Sequence, residues 1–160
     1  MQPLFAPRLV WDAAANYAAV ATGETYLIER FENGKLIDTV LRDIPPAAAT
    51  RQLAEREAEH WLMNGCLVPP AHVVAVAGFM AQVPVIDELR VAPSGELWVR
   101  HRDASGNPGG VDVFDSSGTY LGTLPPSTPF PAAFLPGDRI VAIGKDSMDI
   151  PTITAYRIHR

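Results

Sequence analysis

Two arginines and a tryptophan alternate along one strand-like segment and could together contact an anion. The segment at 96–102 reads ELWVRHR and spaces four side chains two residues apart: Glu96, Trp98, Arg100 and Arg102. Because side chains alternate between the faces of a strand, these four share one face. Guanidinium groups beside an aromatic ring suit a carboxylate or another anion. The sequence favours the alternative interpretation, an outward strand face with aromatic packing.

The glycine-rich stretch that follows superficially resembles a calcium-binding loop. It offers four oxygen-bearing side chains: Asp103, Ser105, Asn107 and Asp112. Phe114 stands where an EF-hand has its bidentate glutamate, and no helical pattern flanks the stretch. We therefore predict an ordinary long hairpin loop.

Histidine and cysteine show no pattern of a metal site or a nucleophile. The histidines lack metal-ligand spacing, and we expect them at the surface or at sheet edges: His60, His72, His101 and His159. Cys66 is the single cysteine, which excludes an intrachain disulfide and predicts a buried or half-buried thiol. No nucleophile elbow, P-loop or dinucleotide-binding glycine pattern occurs. Because none of these motifs is present in the sequence, we predict no cofactor, no metal and no catalytic residue.

Length and charge restrict the class of protein. The 160 residues predict one domain over 1–160, and a formal net charge of −5 argues against a nucleic-acid partner. No apolar run reaches the roughly 18 residues of a membrane span. The beginning, MQPLFAPRLVW, lacks signal-peptide features, which is compatible with the cytoplasm or with a piece of an exported protein. The compartment is therefore left open.

Short runs rich in β-branched and aromatic residues recur in one order and predict strands. Asn33-Gly34 predicts a hairpin turn, since both positions tolerate positive φ. The runs fall into three sets: 8–12, 17–21, 25–31 and 35–41; 85–92, 96–102, 110–115 and 119–124; and 131–135, 139–145 and 153–159.

The middle of the chain has helical patterns instead. Residues 50–65 place apolar side chains at helical spacing, with Thr50 as the expected N-cap and Gly65 just beyond the expected end. Residues 71–83 are apolar on most sides and predict a second, buried helix, although their valines suit a strand equally well. We predict a helical insertion over about 48–82.

Equivalent strands recur at a fixed distance. Leu97 and Ile140 are 43 residues apart, and Asp112 and Thr154 are 42 apart. Four strands and a period in the low forties are typical of propeller blades. We predict blades over about 8–42, 84–124 and 128–160, and expect the tryptophans in core or inter-blade packing: Trp11, Trp61 and Trp98.

Three stretches carry a family resemblance: GELWVR, VDVFDSSGTYLGTL and DRIVAIGKDSMDIPTITAYRI. Together they resemble the closing blades of bacterial six-bladed β-propellers related to the NHL-repeat group. In that family a Gly-x-Leu-Trp-Val strand precedes a Val-Phe-Asp hairpin. The resemblance implies an all-β fold of four-stranded antiparallel blades, here the C-terminal half of a propeller, and a parent family that includes exported proteins. Its motifs are structural and name no ligand.

Three blades predict self-association, because propellers close with ~4–8 blades. Two chains of three blades would make a six-bladed ring with two-fold symmetry. We expect the segment at 2–6 of one chain to pair beside 152–158 of the other. The residues predicted to close this homodimer are Leu4, Phe5, Ile153 and Tyr156.

The expected function is a non-enzymatic binding or scaffold module. The alternative is a metal-dependent, lactonase-like or other hydrolase with its site in the central channel, because channel carboxylates hold catalytic metal in some propeller hydrolases. Asp12, Asp87 and Glu88 lie on or near first strands and are the carboxylates this alternative would use. A purely structural fragment without a ligand is a third interpretation.

Overall fold

The first antiparallel sheet contains four strands that follow one another in space as in sequence. The computed structural model describes residues 2–62 and 68–158. The strand order is β1-β2-β3-β4. Asn33 and Gly34 both have positive φ and join the third strand to the fourth, which confirms the predicted hairpin. The strands are β1 (Val10–Ala14), β2 (Tyr17–Ala21), β3 (Leu27–Glu32) and β4 (Lys35–Leu41).

The second sheet repeats this arrangement. Its order is β5-β6-β7-β8, and the predicted antiparallel pairing of 96–102 with 110–115 is confirmed, with Val99 opposite Asp112. Asp112 thus lies within β7, as the strand predicted over 110–115 has it, and does not belong with Asp103 to the glycine-rich loop. The strands are β5 (Ile86–Val91), β6 (Leu97–Arg102), β7 (Pro108–Phe114) and β8 (Tyr120–Leu124).

The third sheet has three strands in the order β11-β10-β9. They are β9 (Ala133–Leu135), β10 (Arg139–Lys145) and β11 (Pro151–Arg157). The chain is therefore mostly β, with antiparallel sheets of four, four and three strands.

Along the chain, two helices separate the first sheet from the second: α1 (Arg51–Leu62) and α2 (Pro70–Ala77). The Thr50 hydroxyl accepts a hydrogen bond from the Leu53 amide, which confirms the predicted N-cap. The second helix ends at Gly78 rather than near 83, because Gly78 has a φ of 69° and leaves the helical conformation. The prediction that this helix is buried was wrong, because Val74 alone of its eight described residues is buried. Within the described ranges, neither helix is long and apolar enough to cross a membrane.

The second sheet packs on the first sheet through one face and on the third sheet through the other. On the first side, Ile28 and Val40 meet Leu89, Leu97 and further apolar side chains in one buried cluster. On the other side, a second cluster joins the two later sheets through Trp98, Val111, Val113, Phe130 and Ile140. Alternation along the strands separates these two sets, as expected for a sheet buried on both faces.

The N-terminal segment packs against the helices of its own chain. Leu4 pairs with Phe79 and bonds through its main chain to Gly78 and Met80. Leu4 is 0% exposed and Phe5 7% exposed, in a cluster with residues of both helices. Ile153 and Tyr156 lie on β11, which stands at the edge of its sheet, and are 78% and 39% exposed.

Candidate functional site

A bulge in β5 turns two consecutive acidic side chains toward the same side of the second sheet. Ile86 pairs with His101 and Glu88 with Arg100, so Asp87 is the extra residue between them. A bulge of this kind re-aims the side chain it adds. The carboxylates of Asp87 and Glu88 therefore both reach arginines of β6.

Arg102 is the centre of an ion-pair network on this side of the sheet. Its Nε donates to Asp87 Oδ1 at 2.8 Å, and its Nη2 donates to Glu57 Oε2 at 2.9 Å. Arg100 donates to Glu88 Oε1 at 3.0 Å and lies 4.6 Å from the centre of the Phe130 ring. Both arginines of the alternating row are thus engaged with carboxylates.

Helix α1 supplies the opposite wall. Leu53, Arg56 and Glu57 lie three and four residues apart, a spacing that puts them on one helix face. Arg56 Nη2 donates to Asn107 Oδ1 at 3.2 Å, which ties the helix to the β6–β7 loop. From the segment before β1, Arg8 Nη2 donates to the main-chain oxygen of Asp87 at 2.8 Å.

These elements enclose an open cavity of about 750 Å³, called the arginine cavity below. Its lining holds four arginines and three acids, with Leu53, Asn107 and glycine and proline residues completing the walls. The charged residues are Arg8, Arg56, Arg100 and Arg102 together with Glu57, Asp87 and Glu88.

The pKa of Asp87 is shifted by its surroundings in this cavity. Burial raises the pKa of the Asp87 carboxyl above its ordinary value, and the guanidinium of Arg102 opposes that rise. The ion pair with Arg102 holds the carboxylate in place.

The loop beside the cavity is held by its own aspartate. Asp103 Oδ1 accepts the amide hydrogens of Ser105 and Asn107 at 2.8 and 3.0 Å, the bonding of an ordinary turn. This confirms the hairpin loop predicted for the glycine-rich stretch. Gly109 has no space for a side chain, because a Cβ there would lie 2.8 Å from the His101 ring.

A second polar cluster is buried between the first two sheets, around Asp112. This carboxylate is 0% exposed. Tyr26 donates to its Oδ2 at 2.6 Å, and Arg42 forms an ion pair with the same oxygen. Thr123 donates to Oδ1, and His101 Nε2 lies 3.5 Å from that oxygen, an ion-pair distance longer than a well-formed hydrogen bond.

The protonation of this cluster follows from its contacts. Burial favours the neutral acid, but the four surrounding donors outweigh it and lower the pKa of Asp112 to about 2. Burial lowers the pKa of His101, yet Asp112 and the Arg102 carbonyl outweigh burial and leave that pKa raised. Burial and the adjacent carboxylate raise the pKa of Tyr26, which keeps the phenol protonated.

The histidine prediction was right for His72 and wrong for His101. His72 is exposed on α2. His101 is 6% exposed, because the face of β6 that carries it packs on the first sheet. The predictions for Cys66 and His159 fall outside the described residues, as does the side chain of His60.

The prediction that the tryptophans pack in the core or between blades has a different outcome for each of them. Trp98 is 3% exposed and contacts Phe134 with ring centroids 6.2 Å apart, which confirms aromatic packing for this residue of the alternating row. The prediction that the row faces outward was wrong, because this face of β6 packs on the third sheet. Trp11 is 62% exposed on the outer face of the first sheet and is not a core residue of this chain. The side chain of Trp61 is not among those described.

The acids considered for a channel metal do not converge. Asp87 and Glu88 lie in the arginine cavity, whereas Asp12 accepts a hydrogen bond from the Val91 amide at 2.8 Å and is not among the cavity residues. Across residues 2–62 and 68–158, no three histidine, cysteine, aspartate or glutamate side chains could jointly hold a metal ion.

Sequence reasoning missed Arg8, Arg56 and Glu57 in the cavity, and Tyr26 and Arg42 beside Asp112. The spacing of Arg56 and Glu57 from Leu53 in the sequence could have indicated that the three side chains share one helix face. Tyr26 and Asp112 are 86 residues apart, and no local pattern connects them.

The chain matches no protein-family model, no curated protein and no solved structure.

Proposed function

We propose that this protein is a non-enzymatic binding or scaffold module that associates with a second copy of itself. In this proposal the three sheets are blades of a half-propeller, α1 and α2 are an insertion between blades, and two copies complete a six-bladed ring. The stacking of the second sheet between the other two supports the blade arrangement. The engagement of Asp87 and Glu88 by arginines supports a non-enzymatic role for these acids.

One observation carries the association: both outermost sheet faces are apolar and exposed. On the first sheet, pairing places Trp11, Val20 and Glu29 in one row of the outer face. Trp11 is 62% exposed and Leu41 66% exposed. The apolar residues of this first outer face are Trp11, Ala13, Ala18, Val20, Leu27, Phe31, Leu36 and Leu41.

The third sheet presents a similar face at the other end of the stack. Ile143 pairs with Ile153, and these neighbours are 69% and 78% exposed. The apolar residues of this third outer face are Ala133, Leu135, Val141, Ile143, Ile153 and Ala155. Exposed apolar patches of this kind mark interaction sites.

The charges on the two faces are of opposite sign, which selects the partner. Glu29 lies on the first outer face, while Arg139 and Arg157 lie opposite each other on the third. The first face of one copy therefore suits the third face of another better than either face suits itself. In a two-fold pair this contact occurs twice and leaves neither face exposed.

Strand exchange is a separate prediction within this proposal. Moving Leu4 and Phe5 to a partner would break the main-chain bonds of Leu4 to Gly78 and Met80 and expose two buried side chains. The face contact needs no such rearrangement. We therefore propose that the faces carry the association, whether or not exchange occurs.

Light scattering coupled to size-exclusion chromatography tests the association. The expected mass is twice the 17.3 kDa chain. Ile143→Glu and Leu41→Glu should each give a monomer, because each buries a charge in the proposed contact. Val76→Glu is the matched control, since Val76 is 61% exposed on α2 and lies on neither face. A wild-type monomer at micromolar concentration would refute the association.

A further inference from the structure

The arginine cavity is large enough for a small organic molecule. Its volume of about 750 Å³ lies within the range of roughly 300–1,000 Å³ that ligand pockets occupy. Its walls come from the segment before β1, helix α1, strands β5, β6 and β7, the β6–β7 loop and Pro126 beyond β8. The site therefore forms only in the folded chain.

The charge of the cavity opposes the charge of the protein. Four guanidinium groups face three carboxylates, so the lining is positive by one charge in a chain with a formal net charge of −5. A local excess of this sign attracts anions to a cleft of an otherwise acidic protein.

Two of the four arginines are bound only to neutral oxygens. Arg8 donates to a main-chain carbonyl and Arg56 to an amide oxygen. In the part of the chain that the structure describes, neither lies within ion-pair distance of a carboxylate. Each guanidinium has five N–H donors in a planar fork, and one such bond leaves most of them for a ligand.

The ionised neighbours fix the other arginines in position. Asp87 and Glu57 hold Arg102 from two sides, and Glu88 holds Arg100. These ion pairs engage Arg100 and Arg102, so the ligand's charge belongs at Arg8 and Arg56, whose guanidinium groups form no ion pair among the described residues. Leu53 and Pro108 offer carbon surface for an uncharged part of the ligand.

We propose that the arginine cavity binds a small organic anion, with its carboxylate or phosphate oxygens on Arg8 and Arg56. A planar guanidinium binds either group through paired hydrogen bonds, so the two chemistries share one site. The proposal goes beyond self-association and holds equally for a monomer.

Calorimetric titration of the full-length chain at low salt tests the proposal with citrate, glycerol 3-phosphate and inorganic phosphate, and with glycerol as the neutral control. Arg8→Gln and Arg56→Gln should each weaken binding of the best anion by about tenfold, the effect of one charge-assisted contact. Arg51→Gln is the matched control on the same helix, because Arg51 pairs with Glu55 outside the cavity and should leave binding within about twofold.

The probes also identify the chemistry. Preference for citrate indicates a carboxylate ligand, and preference for glycerol 3-phosphate over inorganic phosphate indicates a phosphate ester whose carbon skeleton contributes. Bound anion should shift the amide resonances of Gly106, Asn107 and Gly110, which line the cavity. Absence of binding by all three anions would overturn the proposal. So would affinities that neither Arg8→Gln nor Arg56→Gln changes, or equal binding of glycerol.

Discussion

The two faces of the second sheet hold their neighbours by different means. Toward the first sheet, the apolar cluster that contains Leu89 and Leu97 lies beside a buried charge, Asp112, which Tyr26, Arg42 and Thr123 surround. Toward the third sheet, the centre is apolar and aromatic, with Trp98 against Phe134. Arg100 and Arg102 of that face lie at one end, in the open arginine cavity, and Glu96 is buried just before β6.

The two interfaces should therefore differ in how strictly they fix the packing of the sheets. A buried carboxylate needs all its partners, so it fixes how the first two sheets meet, and removal of one partner is expensive. Apolar contacts are non-directional and tolerate adjustment. The ion pairs of the cavity are partly solvated, which makes them weak as supports of the fold and leaves them accessible to a ligand.

Loss of the charge on Asp112 should have the largest effect. Asp112→Asn leaves Arg42 without its buried carboxylate and should lower the free energy of unfolding by about 3–5 kcal/mol. Urea denaturation at pH 6 measures the change. Asp43→Asn, at an exposed position, should change stability by no more than about 0.5 kcal/mol. A loss below about 1 kcal/mol for Asp112→Asn would contradict a central role for this carboxylate.

Truncation of Trp98 tests the apolar interface with the third sheet, and the expected loss of stability is similar to that for Asp112→Asn. Trp98→Ala should lower the free energy of unfolding by about 3–5 kcal/mol, through lost burial and the cavity left behind. Trp98→Phe should lose less, because the buried Nε1 has no hydrogen-bond partner among the described residues. Thermal and urea denaturation measure both variants, and equal losses would contradict this account.

Asp112 should contribute a pH-dependent part of the stability. The pKa of Asp112 is lowered in the folded chain to about 2, against an ordinary value of roughly 3.9. Its contribution, about 2–3 kcal/mol, is therefore present above pH ~4 and lost as the pH falls toward 2. Urea denaturation between about pH 4 and pH 2 should show the loss of this Asp112 contribution both in the wild type and in Trp98→Ala.

Other acids titrate in the same range, so the test is the difference between chains. The wild type minus Asp112→Asn difference should shrink as the pH falls from about 4 to 2. The pKa of His101 is raised, so its contribution is present below pH ~6.5 and is lost as the pH rises through the folded-state pKa. A difference that stays constant with pH would contradict the ionised state of Asp112.

Removal of the Tyr26 hydroxyl tests one donor of the cluster. Tyr26→Phe deletes the 2.6 Å hydrogen bond to Asp112 and should lower stability by about 1.5–3 kcal/mol, the range for bonds to charged groups. Denaturation gives the value. Tyr120→Phe is the comparison, since the Tyr120 hydroxyl bonds to the uncharged Thr123 hydroxyl and should lose less. Equal losses of stability in Tyr26→Phe and Tyr120→Phe would show that a hydrogen bond to the Asp112 carboxylate stabilises the fold no more than a bond to a neutral hydroxyl.

The smallest effect is expected in the arginine cavity. Glu88→Gln removes an ion pair whose side chains are 39% and 31% exposed, and should change stability by at most about 1 kcal/mol. The remaining change should decrease further in high salt, because solvated pairs are screened. A salt-independent loss above about 2 kcal/mol would show that this pair supports the fold as Asp112 does.

Much of the local structure could be predicted from the sequence. Alternation of apolar residues identified the strands, and β2, β4 and β10 have the predicted bounds. The Thr50 cap and the Asn33-Gly34 turn depend on neighbouring residues alone, which is why they could be inferred. The second helix was overextended, because apolar composition does not mark where Gly78 leaves the helix.

The candidate sites were less accessible to prediction. Trp98, Arg100 and Arg102 were placed on one strand face correctly, since alternation determines that. The burial of His101 and Asp112 was not predicted, because a pattern along one strand does not reveal which face another sheet covers. The blade arrangement and the homodimer remain predictions.

The sequence by itself determined the strand pattern, the turns and the face on which each strand side chain lies, because these depend on residues within a few positions of one another. Only the tertiary structure decided which groups meet. The β5 bulge brought Asp87 to Arg102 and Glu88 to Arg100 on one side of the sheet, and packing brought Tyr26 to Asp112 across 86 residues. Such contacts depend on how whole sheets stack, and the free energy that selects one stacking is spread over many side chains.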